Sequence, residues 1–243
     1  MVLRLGVLQG MSSTTMRNNS TDQTTLIQSE QIQPEQTPAA ARKSGRSYHH
    51  GDLRRSLIES GLLLVQEVGV EAISLRELAE RVGVSTPALY HHFKNKQQLL
   101  FALGEASVDL FQAALDQAIQ QAEQGFSIED FVWVYVRFAI ENPELYELMF
   151  GRQMWSGEQT SEFHRKAKHS FRVSAERLLR LQQAGQLTSG VNPLRLAQVA
   201  WATLHGLCRM YNDGLAFAPE TIEDIARYAC RLMQQAVLAE AAS

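Results

Sequence analysis

From residue 52 onward, apolar residues recur every three or four positions, which is the period of an α-helix. The first such stretch ends at Gly69, and we expect Asp52 to cap it. Its apolar stripe consists of Leu53, Leu57, Gly61, Leu64, Val65 and Val68. Nowhere does the chain show the sustained two-residue alternation of a strand with hairpin turns. The pattern therefore predicts an all-α protein with about nine helices.

Capping residues and prolines mark where the later helices begin. These residues are the caps Ser74, Ser85, Asn95 and Ser127 and the prolines Pro143, Pro193 and Pro219. Ser74 and Glu77 have the spacing of a capping box, and Gly83 suits the tight turn before the third helix. Asn95 opens an amphipathic helix that we expect to run to about Gln121. The last two helices are predicted at about 192–213 and 219–241.

The first 47 residues have a different composition from the rest. They contain no aromatic residue, and 17 of the 30 residues from Ser12 to Ala41 are Ser, Thr, Asn or Gln. Such a segment buries too little apolar area to offset its ordering entropy, so we expect a disordered tail. The tail closes with a basic arm, Arg42, Lys43 and Arg46. The predicted domains are thus this tail (1–47), a small helical head (48–96) and a larger helical body (97–243).

Charge is unevenly distributed between head and body. Residues 42–96 carry nine Lys/Arg and six Asp/Glu, whereas residues 97–243 carry 12 and 17, although the net charge of the whole chain is only −3. A basic arm and head, taken together, beside an acidic body favour different partners for the two parts. With two cysteines, no secretory leader and no run of about 18 apolar residues, we expect a cytoplasmic protein without a membrane span.

The first three predicted helices have the arrangement of a helix-turn-helix. On a helical wheel centred on Leu89, Phe93 and Ser85 fall on the core side of the third helix. Pro87, Tyr90 and His91 fall on the outer face, which has no acidic side chain. Such a face is suited to phosphates and base edges, and therefore to double-stranded DNA.

The same region resembles the TetR family of bacterial transcription regulators. The matching strings are Arg76-Glu-Leu-Ala79, Gly83-Val-Ser85, Leu89-Tyr-His-His-Phe93 and Lys96 with Leu99-Leu100. Further along, the segment from Phe138 to Phe150 and the string Trp201-Ala-Thr-Leu-His205-Gly206 resemble a subgroup with a Trp-His-Gly signature. The resemblance implies a homodimer with a DNA-binding head and a helical, ligand-binding body. It also implies a dimer interface in the last two helices, where we expect Ala229 and Leu232 to share one side.

The resemblance also implies which residues contact DNA. They are Ser74, Ser85, Thr86, Pro87, Tyr90, His91 and Lys96. Ser74 and Lys96 would hold phosphates, and the third helix would face the major groove. The arm of Arg42, Lys43 and Arg46 is either a minor-groove contact or a solvated linker. Phe93 is expected in the core, and His92 in a packing or phosphate role.

Two histidine pairs, His49-His50 and His91-His92, raise the question of a metal site. Adjacent residues on one helix diverge by about 100° and do not readily share one ion. No Cys or acidic cluster completes such a site, so we expect no metal. The enzymatic motifs of phosphate loops, zinc proteases and nucleophile elbows are missing as well. A Cys208–His205 dyad is conceivable, but nothing orients it; we expect no enzyme and no cofactor.

The body is rich in aromatic residues, as expected for an apolar ligand cavity. The candidates for contact with a small apolar or aromatic effector are Phe138, Tyr146, Phe150, Trp201 and His205. Alternatively, His205 is a hydrogen-bonded structural residue. The sequence thus predicts a ligand-released repressor that binds a near-palindromic operator as a homodimer. The competing hypothesis is a DNA-binding protein without an effector, whose body only dimerises.

Overall fold

The structure is a computed structural model that describes residues 50–122, 127–156, 159–185, 190–215 and 218–239. Within these ranges all regular elements are helical, as the apolar spacing predicted. The nine helices are α1 (His50–Val68), α2 (Leu75–Val82), α3 (Thr86–His92), α4 (Lys96–Gln121), α5 (Ile128–Glu141), α6 (Pro143–Phe150), α7 (Glu162–Gln183), α8 (Pro193–Asn212) and α9 (Pro219–Ala239). A short 3-10 helix, Arg152–Met154, follows α6.

Most helices begin where the sequence predicted, because their caps form locally. The side-chain oxygen of Ser74 accepts a hydrogen bond from the Glu77 N–H (3.1 Å), and that of Asn95 accepts one from the Gln98 N–H (2.9 Å). The Gln98 side-chain oxygen in turn accepts a hydrogen bond from the Lys94 N–H (3.0 Å). The three prolines at 143, 193 and 219 each occupy the first helical position.

Two helix starts differ from the sequence prediction. α1 begins at His50, so Asp52 lies inside the helix rather than before it. α7 begins after Ser161, a cap that the sequence analysis did not single out; its hydroxyl accepts from the His164 N–H. Both differences concern the ends of helices, where local signals are weakest.

The head is a three-helix unit around one small core. Leu57, Leu78, Leu89 and Phe93 are fully buried in it. Gly83 adopts φ +75° in the turn between α2 and α3, as its predicted role requires. Val68 departs from the prediction, because it is 38% exposed at the end of α1 instead of lying in the core stripe.

α4 runs from the head into the body. The expected boundary between residues 96 and 97 falls in its first turn, so head and body share one continuous helix. Leu103 packs against Gly61 of α1, and Gly104 lies where α6 and α7 approach α4 closely. A Cβ at residue 104 would come within 2.9 Å of the Leu148 carbonyl oxygen and of the Phe163 ring. Glycine at this position is therefore what permits the packing.

The body consists of α4 to α9. α5 packs against α8 and α9, α7 packs against α4 and α8, and α6 contacts both α4 and α1 of the head. No helix in the described ranges is long and apolar enough to cross a membrane. α6 is thus the short element that connects the body to the head, alongside α4.

Candidate functional site

The outer face of α3 is exposed as the helical wheel predicted. Tyr90 is 46% exposed, Pro87 and His91 are exposed, and Thr86 is half-buried. Phe93 is buried in the core, which confirms its predicted role. Ser85 is exposed and caps α3 through the Ala88 N–H (3.3 Å), so its placement on the core side was wrong. The helix therefore presents aromatic and imidazole groups to solvent without acidic neighbours on that face.

Ser74 and Lys96, the two predicted phosphate contacts, both hold the head together. The hydroxyl oxygen of Ser74 is the α2 cap, and the Lys96 ammonium donates to the Glu71 carbonyl oxygen (2.5 Å) between α1 and α2. An ammonium has three N–H donors, so the bond to Glu71 still leaves donors for a phosphate. The basic arm of Arg42, Lys43 and Arg46 lies outside the described residues.

A cavity of about 890 Å³ opens in the body. It lies between α4, α5, α7, α8 and α9, with the end of α6 also in its wall, and this wall is mainly apolar. The aromatic residues that line it are Phe111, Phe131, Tyr135, Phe150, Trp155, Phe171 and Trp201. Its volume is within the range of about 300–1,000 Å³ found for small-molecule sites.

Three of the five predicted ligand residues line this cavity: Phe150, Trp201 and His205. Phe138 and Tyr146 do not belong to the described lining, contrary to the prediction. Phe138 is buried behind Phe111, with ring centroids 5.3 Å apart. Tyr146 is buried behind His205. Both contact the cavity wall from behind: Phe138 through Phe111, and Tyr146 through Tyr135, Phe150 and His205.

His205 is held on three sides by aromatic rings. Trp201 stacks on it with centroids 5.1 Å apart, Phe150 meets it edge-on at 5.1 Å, and the Tyr146 hydroxyl lies 2.5 Å from Nδ1. Burial lowers the pKa of His205, and the charge of Arg209 lowers it further. Burial also raises the pKa of Tyr146 well above its ordinary value. The imidazole is therefore kept neutral, and its Nδ1 shares a hydrogen bond with the Tyr146 hydroxyl, which also lies 3.3 Å from the Tyr135 hydroxyl.

Cys208 is fully buried one turn after His205. Burial raises the pKa of its thiol to about 12. A nucleophilic cysteine needs a lowered pKa, and the nearby imidazole is already engaged by Tyr146. The arrangement does not provide the activated thiolate of a Cys–His dyad. Among the described residues, no cluster of three or more His, Cys, Asp or Glu side chains is arranged for a metal ion.

Much of the cavity wall comes from α7 and α9, which the sequence analysis did not assign to it. α7 contributes Phe171, Ser174, Arg177 and Leu178, and α9 contributes Ala229 among others. The spacing of Phe171, Ser174 and Leu178 on one stripe was the signal that could have identified α7. Of the two residues predicted to share one side of the dimer surface, Ala229 is half-buried and lines the cavity, whereas Leu232 is 48% exposed.

α6 connects the cavity wall to the head through polar contacts. On the cavity side, Tyr146 contacts His205 and the Glu147 carboxylate lies 2.5 Å from the Arg209 guanidinium of α8. On the head side, α6 packs against α1, and the Glu144 carboxylate lies beside the segment between α1 and α2, where the backbone N–H of Val70 favours its charged form while burial raises its pKa. One two-turn helix therefore contacts both parts of the molecule.

Two family models match the chain. One, described as bacterial regulatory proteins of the tetR family, matches residues 57–103; the other, a tetracyclin repressor-like C-terminal domain, matches residues 128–235. Together they match nearly two thirds of the 243 residues. The chain belongs to the TetR family. The first match covers α2 and α3 completely, and the second covers most of the cavity wall.

Individual curated relatives match over a short part of the chain. Tetracycline repressor protein class C from Escherichia coli is 51% identical over 57 residues, which are 24% of this chain and 26% of that protein. The chain thus matches only about a quarter of the length of this curated relative, and a comparable share of the class A protein.

Solved structures extend the similarity to the body. A protein of unknown function from Rhodococcus sp. RHA1 is 31% identical, with a TM-score of 0.67 over 79% of this chain and 98% of that one. RolR in complex with resorcinol is 21% identical, with a TM-score of 0.55 over 77% of this chain and 88% of that one. At the latter identity the similarity concerns the fold alone.

Proposed function

We propose that this protein is a DNA-binding transcription regulator that acts as a homodimeric repressor and leaves a near-palindromic operator when a small ligand binds. We also assign it to the Trp-His-Gly subgroup of the family, in which Trp201, His205 and Gly206 form the signature. The proposal places it in the cytoplasm and includes no catalytic activity. Support comes from family membership, the exposed face of α3 and the cavity in the body.

The observation that carries ligand control is the position of α6 between cavity and head. A ligand that contacts His205 acts on Tyr146 directly, and through α6 on the packing of that helix against α1 and the segment that follows it. A shift of α6 would move the segment before α2 and so change the spacing of two heads in a dimer. Such a ligand favours release only by binding the released conformation more tightly than the DNA-bound one.

A homodimer is supported by apolar surface on α8 and α9. On α8, Val199, Ala202, Gly206 and Met210 lie three or four residues apart on one face, and a Cβ at Gly206 would meet nothing within 4 Å. On α9, Tyr228 is 58% exposed and lies one turn from Leu232. Contiguous exposed apolar surface of this kind marks an association surface. Two recognition helices in such a dimer would enter major grooves about 34–36 Å apart.

The proposal is tested with DNA duplexes selected from a random-sequence library by the full-length protein. Fluorescence anisotropy should give tight binding to a palindromic selected site and much weaker binding by Tyr90→Ala. Arg172→Ala, which changes an exposed residue on α7 away from the cavity, is the matched control and should bind as the wild type does. If no duplex is enriched over non-specific DNA, the DNA-binding function is wrong.

Ligand control is tested separately, by screening small apolar compounds for those that raise the melting temperature. A stabilising compound should also lower the anisotropy of the protein–DNA complex. A compound that raises the melting temperature without releasing the protein from DNA would favour the alternative hypothesis. In that hypothesis the body serves dimerisation and does not control DNA binding by the head.

A further inference from the structure

We propose that the ligand of the body cavity is an amphipathic anion, with an apolar hydrocarbon portion and one acidic group bound by Arg177. The inference rests on the proposed ligand-binding function and adds the chemical class of the ligand. Two features of the cavity support it: the charged side chains of the wall are all basic, and one buried guanidinium nitrogen has no hydrogen-bond acceptor.

The ionic side chains of the cavity wall are of one sign. Lys168, Arg177 and Arg180 line it, and none of the described lining residues is Asp or Glu. Lys168 and Arg180 are exposed, whereas Arg177 is half-buried. This distribution is the reverse of that of the body as a whole, in which acidic residues exceed basic ones by 17 to 12. The cavity is therefore electropositive within an acidic domain, which favours an anion.

Arg177 carries a buried donor that nothing in the described structure satisfies. Its Nη1 nitrogen is inaccessible to solvent and has no hydrogen-bond partner. The other terminal nitrogen, Nη2, lies 3.7 Å from Asp116 Oδ1, beyond hydrogen-bond distance, and Asp116 accepts a bond from the Gln112 side chain instead. Burial lowers the pKa of Arg177; the charge of Asp116 opposes this effect, and the nearby Arg180 adds to it.

A buried guanidinium N–H without an acceptor is costly, and an arginine keeps its charge in proteins. A carboxylate, sulfonate or phosphate group supplies oxygens in the geometry that a guanidinium binds in a bidentate manner. An anionic ligand would thus supply the acceptor that the Arg177 guanidinium lacks. A neutral apolar ligand would instead bury the guanidinium further without giving it a hydrogen-bond partner. The structure favours the anion for this reason.

Arg177 and His205 lie toward opposite ends of the cavity. α7 and α8 pack side by side, a short connection joins them, and the Phe171 and Trp201 rings meet with centroids 6.0 Å apart. From that contact Arg177 lies six residues along α7 and His205 four residues along α8. In antiparallel helices these displacements of roughly 9 and 6 Å point in opposite directions. The acidic group thus lies at one end, with the apolar portion passing Phe171 and Trp201 toward His205.

The test uses two fluorescent dyes that differ only in an acidic group. 8-Anilinonaphthalene-1-sulfonate carries a sulfonate, and N-phenyl-1-naphthylamine has the same ring system without it. Titration of the full-length protein should give a dissociation constant about tenfold lower for the sulfonate, as one charged hydrogen-bonded contact provides. Arg177→Gln should remove that preference and leave binding of the neutral dye unchanged. Decanoate should displace the sulfonate dye more effectively than decan-1-ol does.

Arg172→Gln is the matched control, because this exposed arginine on α7 lies outside the described lining and should leave the preference intact. Equal binding of the two dyes, or a preference that survives Arg177→Gln, would overturn the inference while leaving a ligand cavity in place. If neither dye binds, the ligand cavity itself is wrong, and the inference fails with it. The melting temperature of each variant shows whether a lost preference reflects lost folding.

Discussion

The hydroxyl of Tyr146 on α6 lies 2.5 Å from Nδ1 of His205 on α8. This contact joins a residue that lines the cavity to a helix that touches the head, although the two residues are 59 positions apart in the sequence. Because the imidazole is neutral, this bond engages Nδ1 and leaves Nε2 for the contents of the cavity. His205 is therefore both a structural residue and a candidate ligand contact, so the two hypotheses from sequence are compatible.

Replacing Tyr146 with Phe should lower the free energy of unfolding by about 1–3 kcal/mol, because it leaves the buried Nδ1 of His205 without a partner. Urea denaturation measures this loss. In a protein that already carries Tyr146→Phe, His205→Gln should lower the free energy of unfolding by less than it does in the wild type, because the bond between the two side chains is already lost. Tyr90→Phe, at an exposed residue, is the control and should change nothing. Additive losses in the double variant would mean that the two side chains act independently.

Stability should fall in acid through His205. Burial lowers its pKa from the ordinary value of 6.5, so the unfolded chain takes up a proton at this residue more readily than the folded one. The unfolding free energy therefore decreases as pH falls through 6.5 and levels off below the lowered pKa. In His205→Gln this contribution should vanish, which chemical denaturation across about pH 5–8 would detect. His91→Gln, at an exposed residue, should keep the wild-type slope; identical slopes in all three proteins would contradict the prediction.

Changes in the head should separate base contacts from phosphate contacts. Tyr90→Ala and His91→Ala should each weaken binding to a selected operator by about 1–3 kcal/mol and relax its sequence preference. Lys96→Ala should weaken binding to all duplexes alike and reduce the salt slope by about one unit. It should also lower the melting temperature, because Lys96 holds the Glu71 carbonyl. Anisotropy titrations at several salt concentrations measure these effects, and unchanged binding in all three variants would refute the assigned interface.

Exposed apolar residues of α9 should hold the dimer together. Tyr228→Glu combined with Leu232→Glu places charges on the proposed interface and should yield a folded monomer with much weaker operator binding. Leu179→Glu is the matched control, since Leu179 is an exposed leucine of α7 and its change should leave the dimer intact. Sedimentation velocity gives the oligomeric state. A dimer that persists in the double variant would place the interface elsewhere.

The sequence by itself determined the helices and the head. Caps and prolines act within one turn, so the starts at Leu75, Thr86, Lys96 and Pro193 could be predicted without knowledge of the fold. The exposed face of α3 was equally predictable, because a single helix with Leu89 and Phe93 in the core must turn Tyr90 and His91 outward. The exposure of Val68 and the start of α1 before Asp52 were not predicted. Helix ends fray and often have competing caps, so the local sequence signals there are weak.

The cavity was decided by tertiary packing alone. Aromatic content predicted that the body holds large rings, but which rings face a cavity depends on the rotation of α5 to α9 against one another. Packing turned Phe138 and Tyr146 inward and placed them behind the wall, whereas it brought Arg177 of α7 and Ala229 of α9 into the lining. The contact between Tyr146 and His205 joins helices that are distant in the chain. A local pattern fixes the face of one helix, but several helices must pack before a volume exists between them.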